Sequence, residues 1–148
     1  MKTITVMPCK RSRRNQKGSA MVEFALGSTM LLLFLFGVAD FGRLFYDAIE
    51  VANAAAAGAS YGSFKSANLT DTTGISTAAK NEALEISDLK VDSSEVCQDD
   101  NGASALCNAS GAYQYVKVTT SHTFQTLVKY PLIPASVKLS TTVMMRGK

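Results

Sequence analysis

Lys10-Arg11-Ser12-Arg13-Arg14-Asn15-Gln16-Lys17-Gly18, continued by Ser19-Ala20-Met21-Val22-Glu23-Phe24-Ala25-Leu26, is the stretch on which the fold turns. The first eighteen residues hold six basic side chains, Lys2, Lys10, Arg11, Arg13, Arg14 and Lys17, and no acid. From Phe24 to Ala39 there is no charge. A basic flank beside an apolar helix is retained on the cytoplasmic side of a membrane, so the rest of the chain is expected outside. Ser19 to Ala39 is 21 residues with Glu23 its only charge, and about 20 apolar residues suffice to cross a bilayer as a helix. A lone carboxylate in that setting is costly and asks for a reason.

The overall charge of +3 misleads. Without the first eighteen residues, nine basic side chains face twelve acidic ones, a net of −3. The basicity therefore belongs to a leader, and no aromatic side chains interleave with it as a single-strand nucleic-acid binder would require. The composition describes one modest domain plus a membrane segment, with no nucleic-acid partner.

Beyond the apolar run, Phe41, Leu44, Phe45, Ala48, Ala52, Ala55 and Ala59 recur at steps of three or four, an amphipathic continuation of the same helix. One helix from about Ser19 to about Tyr61 would be about 65 Å long, roughly twice a bilayer core. Asp40 and Arg43 are three apart and can pair on one face. Ala54, Gly58 and Gly62 are spaced by four. Such a stripe lets another backbone approach closely, or it simply reflects an Ala-rich helix whose glycines mark its end.

Ser63 to Gly74 reads as a linker. Ile75 to Ile86 has helical spacing at Ile75, Ala79, Ala83 and Ile86, a short second helix. Ser87 to Gly111 reads as acidic, polar turns. Tyr113 to Thr120, Thr123 to Val128 and Val137 to Met144 are strand-like, with Tyr130-Pro131-Leu132-Ile133-Pro134 separating the last two. The fold class is α+β: a long N-terminal transmembrane and amphipathic helix, then a small head with a short helix and two to three antiparallel strands.

Cys9 lies in the leader, while Cys97 and Cys107 lie ten positions apart in the distal part. That division fits one disulfide, Cys97–Cys107, in an oxidising compartment, against two unpaired buried thiols. With one histidine, His122, and no CxxC, a zinc site is not expected. No catalytic constellation or dinucleotide fingerprint is present, so neither an enzyme nor a cofactor is expected.

The processing signal allows two readings. A secretory signal is cut after its apolar core, and Gly37-Val38-Ala39 offers such a site. A cut at Gly18 would instead precede the core, remove the basic leader, leave the helix on the mature chain and make Ser19 the terminal amine. Gly18 with Glu23 and Phe24 resembles a type IV prepilin of the Flp/Tad kind. Val22-Glu23-Phe24-Ala25-Leu26, Asp40-Phe41-Gly42-Arg43-Leu44-Phe45-Tyr46 and Ala52-Asn53-Ala54-Ala55-Ala56-Ala57-Gly58-Ala59-Ser60-Tyr61-Gly62 together resemble the TadE-like pseudopilins. The likeness runs from about Gly18 to Gly62, returns loosely over Pro131-Leu132 through Arg146, and does not include the middle. It implies a minor pilin of a tight-adherence system, cleaved by a prepilin peptidase and acting in pilus biogenesis and surface adhesion. Its implied partners are other pilin and pseudopilin subunits, the inner-membrane pilus assembly platform and the lipid bilayer.

A carboxylate in an apolar helix bundle needs a partner, and the Ser19 amine of an adjacent subunit can supply one, fixing axial register. Otherwise Glu23 reaches to the cytoplasmic headgroups. The expected division is a cleaved leader at 1–18, a pilin helix at 19–62 that crosses the inner membrane at about 19–39, and an extracytoplasmic head at 63–148. A membrane-anchored binding or sensor module is the competing reading, and a freely secreted protein cut near Ala39 is a third.

Overall fold

The computed structural model describes residues 17–127 and 134–148. Residues 1–16, which hold Cys9 and most of the basic leader, and residues 128–133 lie outside the described residues.

Helix α1 runs unbroken over Lys17–Ser63. Its first half is built from good helix formers, and no proline interrupts it. The hydroxyls of Ser28 and Thr29 donate back to the Ala25 carbonyl at 3.0 and 2.9 Å. Both polar groups are therefore satisfied within the helix, as an apolar medium requires. The helix is long and apolar enough to cross a membrane, and none of its apolar window is buried by the rest of the chain. By packing, the chain divides between Gly37 and Val38. The distal half of α1 therefore belongs with the head, a grouping different from the expected boundary at residue 63.

A short 3-10 turn at Ser66–Asn68 leads into α2, Thr72–Glu82. The expected linker at Ser63 to Gly74 is thus partly ordered, and α2 begins and ends before the expected Ile75 to Ile86. Asp71 sets the start: its carboxylate accepts the Gly74 N–H at 2.9 Å, an N-cap. Three strands follow, β1 at Lys90–Gln98, β2 at Tyr113–Gln125 and β3 at Ser136–Arg146. They form one antiparallel sheet in the order β1-β2-β3.

Strand β1 corrects the reading of Ser87 to Gly111 as turns. Asp92, Ser93, Ser94 and Glu95 are poor strand formers, but the segment pairs residue for residue with β2, from Lys90 opposite Ser121 to Gln98 opposite Tyr113. Tertiary pairing overrides the local preference. Strand β2 is likewise one continuous element through Ser121 and His122.

Alternation along β2 places Val116, Val118, Thr120 and Phe124 on the buried face. That face meets the distal half of α1 and α2 in two clusters. One gathers Val51, Ala54, Ala79, Ala83, Ile86 and Leu89, with Val91 and Leu139 against them. The other gathers Ala59, Leu69, Ile75, Val116 and Val118, with Val91, Val143 and Met145. The expected amphipathic face of α1 is buried at its distal end, at Ala55 and Ala59, and departs from expectation at Phe41 and Phe45. Both rings are exposed, and Val51 and Ala54 are fully buried beside Ala55 and Ala59. Small residues are selected there because the helix and sheet must approach closely.

Candidate functional site

At its N-terminal end α1 presents Gly18, Ser19, Glu23 and Phe24 on an exposed helical surface. A Cβ placed on Gly18 would meet nothing within 4 Å. Packing within the chain therefore does not require glycine at that position. Phe24 is 78% exposed, and Met30, Leu31, Leu32, Phe34 and Phe36 are likewise uncovered. Large apolar side chains exposed on every side of a helix suit lipid or neighbouring helices.

The second functional feature is the joint between α1 and the sheet. Asp40, only 5% exposed, accepts the Leu127 N–H through both carboxylate oxygens at 3.1 and 3.2 Å. Arg43 lies 3.6 Å from the same carboxylate, and its guanidinium stands 5.4 Å above the Phe124 ring. One turn further along, His122 is held between two acids. Its Nε2 is 3.5 Å from Asp47 on α1, and its Nδ1 contacts Asp88 in the segment before β1. These residues line a cavity of about 410 Å³ with Arg43, Tyr46 and Glu85. The Tyr46 phenol is raised above its ordinary range by its hydrogen bond to Glu50, by the Glu50 charge and by neighbouring acids. Such a joint ties the sheet to the distal half of α1.

Ala54, Gly58 and Gly62 lie buried where α2 and β2 cross α1. A Cβ on Gly58 would stand 3.3 Å from Ala79 Cβ and from Ile75. One on Gly62 would stand 2.9 Å from Val116 Cγ2 and 3.1 Å from Ile75 Cδ1. The stripe therefore receives the chain's own elements. Cys97, buried at the end of β1, is joined to Cys107 in the following loop. Within that loop the Asp99 carboxylate accepts the Asn101 and Ala103 N–H groups at 2.9 and 2.8 Å, which closes the turn.

Two contacts have no local sequence signal. Thr120 Oγ1 donates to the Val51 carbonyl at 2.7 Å across 69 positions, and Asp40 meets Leu127 across 87. Nothing local in the sequence connects His122 with Asp47 or Asp88. Tyr61 donates to Asp71 at 2.9 Å, tying the end of α1 to the start of α2. That bond, with the Asp71 charge, raises the Tyr61 pKa, while the Gly74 N–H and then the Tyr61 hydroxyl lower that of Asp71.

No curated protein and no solved structure matches the chain. The model of a family described as TadE-like protein matches residues 18–60, which is nearly the whole of α1 and none of the head beyond it. Over those residues, fewer than half of the chain, the helix is similar to the TadE-like family.

Proposed function

We propose that this chain is a minor pilin-like subunit, a pseudopilin, of a Tad/Flp-type pilus assembly. Its role is structural, in pilus biogenesis and surface adhesion. A prepilin peptidase removes residues 1–18 by cutting after Gly18. The mature chain stays in the bacterial inner membrane through α1, with residues 63–148 as part of an extracytoplasmic head. Other pilin and pseudopilin subunits and the assembly platform are its partners.

The observation that carries this reading is the TadE-like match over residues 18–60, on a helix whose apolar half is left uncovered by the rest of the chain. Glu23 then has a physical reason. Unpaired, it would burden the helix bundle; opposite the Ser19 amine of a neighbour, it fixes axial register. Replacing Glu23 with Ala is expected to block pilus assembly and leave cleavage largely intact. Normal piliation in that variant would refute the role. Replacing Gly18 with a bulky residue should leave the leader attached, seen as a slower band on a gel.

The cavity beside Arg43, Tyr46 and His122 favours a second reading, a membrane-anchored binding or sensor module. It predicts a mature chain that still begins at Met1.

A further inference from the structure

We propose that the outer face of the sheet docks on the acidic side of a second copy of this chain, so that copies join sheet to helix layer. The inference uses only residues from Val38 onward, one packed unit, and does not depend on the pilin reading.

The register of the strands sorts the charges. Val116, Val118, Thr120 and Phe124 turn toward the helices, and His122 turns with them to meet α1. Lys117, Thr119, Ser121 and Thr123 therefore turn away. Cross-strand partners share a face. Lys90 lies opposite Ser121, Asp92 opposite Thr119, Lys138 opposite Thr123 and Arg146 opposite Tyr115. The outer face thus carries four of the nine basic side chains that follow Gly18, Lys90, Lys117, Lys138 and Arg146, against one acid, Asp92. All four are exposed, and none forms an ion pair among the described residues.

The helix side is acidic at the same level. His122 stands between Ser121 and Thr123, and its ring meets Asp47 and Asp88. Lys90 and Lys138, the partners of Ser121 and Thr123, are therefore directly behind those acids, across the thickness of the sheet. Glu85 joins Asp47 and Asp88 along the cavity. Glu85 is exposed, and the Asp88 side chain is 54% exposed. Arg43, the one Lys or Arg of that lining, is turned to Asp40 and the Phe124 ring.

A second copy moved along the sheet normal, with no shift along the strands, sets Lys90 and Lys138 against Glu85 and Asp88. The two surfaces differ, so the contact is heterologous and can repeat from copy to copy. The face measures about 15 Å by 30 Å, less than the roughly 800 Å² per partner of a standard interface. Exposed charges therefore supply most of the attraction, and salt weakens it.

The test uses the full chain in detergent at low ionic strength, mixed from equal parts of unlabelled and isotope-labelled protein. A carbodiimide joins an ammonium to a carboxylate where the two touch. The expected result is a ladder of multimers, lost in high salt, whose mixed-label peptides link Lys90 or Lys138 to Glu85 or Asp88. Lys90→Glu with Lys138→Glu is expected to lose the ladder, and so is Glu85→Lys with Asp88→Lys, because like charges then meet. Mixing the two variants restores it, with every link joining one variant to the other.

Mixed-label links that lack these residues overturn the proposal on the wild-type chain alone, whatever the variants do. So does a ladder that persists in either variant by itself, or a mixture of the two that stays monomeric. A monomeric wild type whose lysines instead bind dextran sulfate would give the face to a polyanion, which also overturns it. A mature chain that begins at Met1 would end the pilin reading and leave this pairing standing.

Discussion

The hydroxyl of Thr120, in the middle strand, donates to the main-chain carbonyl of Val51 in the distal half of α1 at 2.7 Å, with both residues fully buried. This bond pins one sheet position to one helix turn. Replacing Thr120 with Val keeps the shape and removes the donor. The head is then expected to lose about 1 kcal/mol, the usual net value of a buried hydrogen bond. Urea unfolding of the full chain in detergent measures it, with Thr120→Ser retaining more of the stability than Thr120→Val.

Asp40 and Arg43 are not equal partners. Asp40 is buried and holds the Leu127 N–H, whereas the Arg43 side chain is half exposed. Asp40→Ala leaves a main-chain donor without its acceptor and is expected to cost about 1–3 kcal/mol. Arg43→Ala removes a partly exposed ion pair and a ring contact and should cost under about 1 kcal/mol. The same urea series checks the order of the two.

The start of α2 should respond to acid. Hydrogen bonds from the Gly74 N–H and the Tyr61 hydroxyl hold the Asp71 carboxyl below its ordinary range. A carboxyl lowered on folding adds stability above its unfolded pKa and loses it as pH falls through the folded value. The Asp71 cap is therefore complete at neutral pH and weakens below about pH 4. The Gly74 amide shift in an NMR titration should follow this loss, and Asp71→Asn should abolish it.

The Cys97–Cys107 link closes a loop at the end of β1, the edge strand with the poorest local preference for its conformation. Constraining a loop of this length is worth about 3 kcal/mol in the unfolded chain. Replacing both cysteines with Ser is expected to lower the unfolding midpoint of the head accordingly and to leave the helical signal of the apolar half of α1 unchanged in detergent. Circular dichroism followed through the transition distinguishes the two.

The sequence reveals most where a pattern is local. The charge-free run after Glu23 and the alanine-rich continuation made α1 legible from Ser19 onward, and β-branched residues in Val116-Lys117-Val118-Thr119-Thr120 made β2 legible. Strand β1 was hidden because Asp92, Ser93 and Ser94 acquire their conformation only from pairing with β2. The buried face of α1 was legible at Ala55 and Ala59 and misplaced at Phe41 and Phe45, for a related reason. Phe41 and Phe45 have the hydrophobicity of core residues, but the sheet needs Ala54, Gly58 and Gly62 to come close. At the joint, Asp40 and Arg43 could be paired by spacing, whereas Leu127 and His122 enter from distant strands that no periodicity connects to α1. Gly18 and Glu23 were legible as motif residues, and the function proposed for the chain places their roles in a leader and in neighbouring subunits.

The central claim is that α1 stays on the finished protein after its cationic leader is removed. Mass and N-terminal sequencing of the mature chain isolated from membranes test it most directly. The account predicts a single species beginning at Ser19 and retaining the whole of α1. A chain beginning at Met1, or one beginning at Asp40, would contradict it.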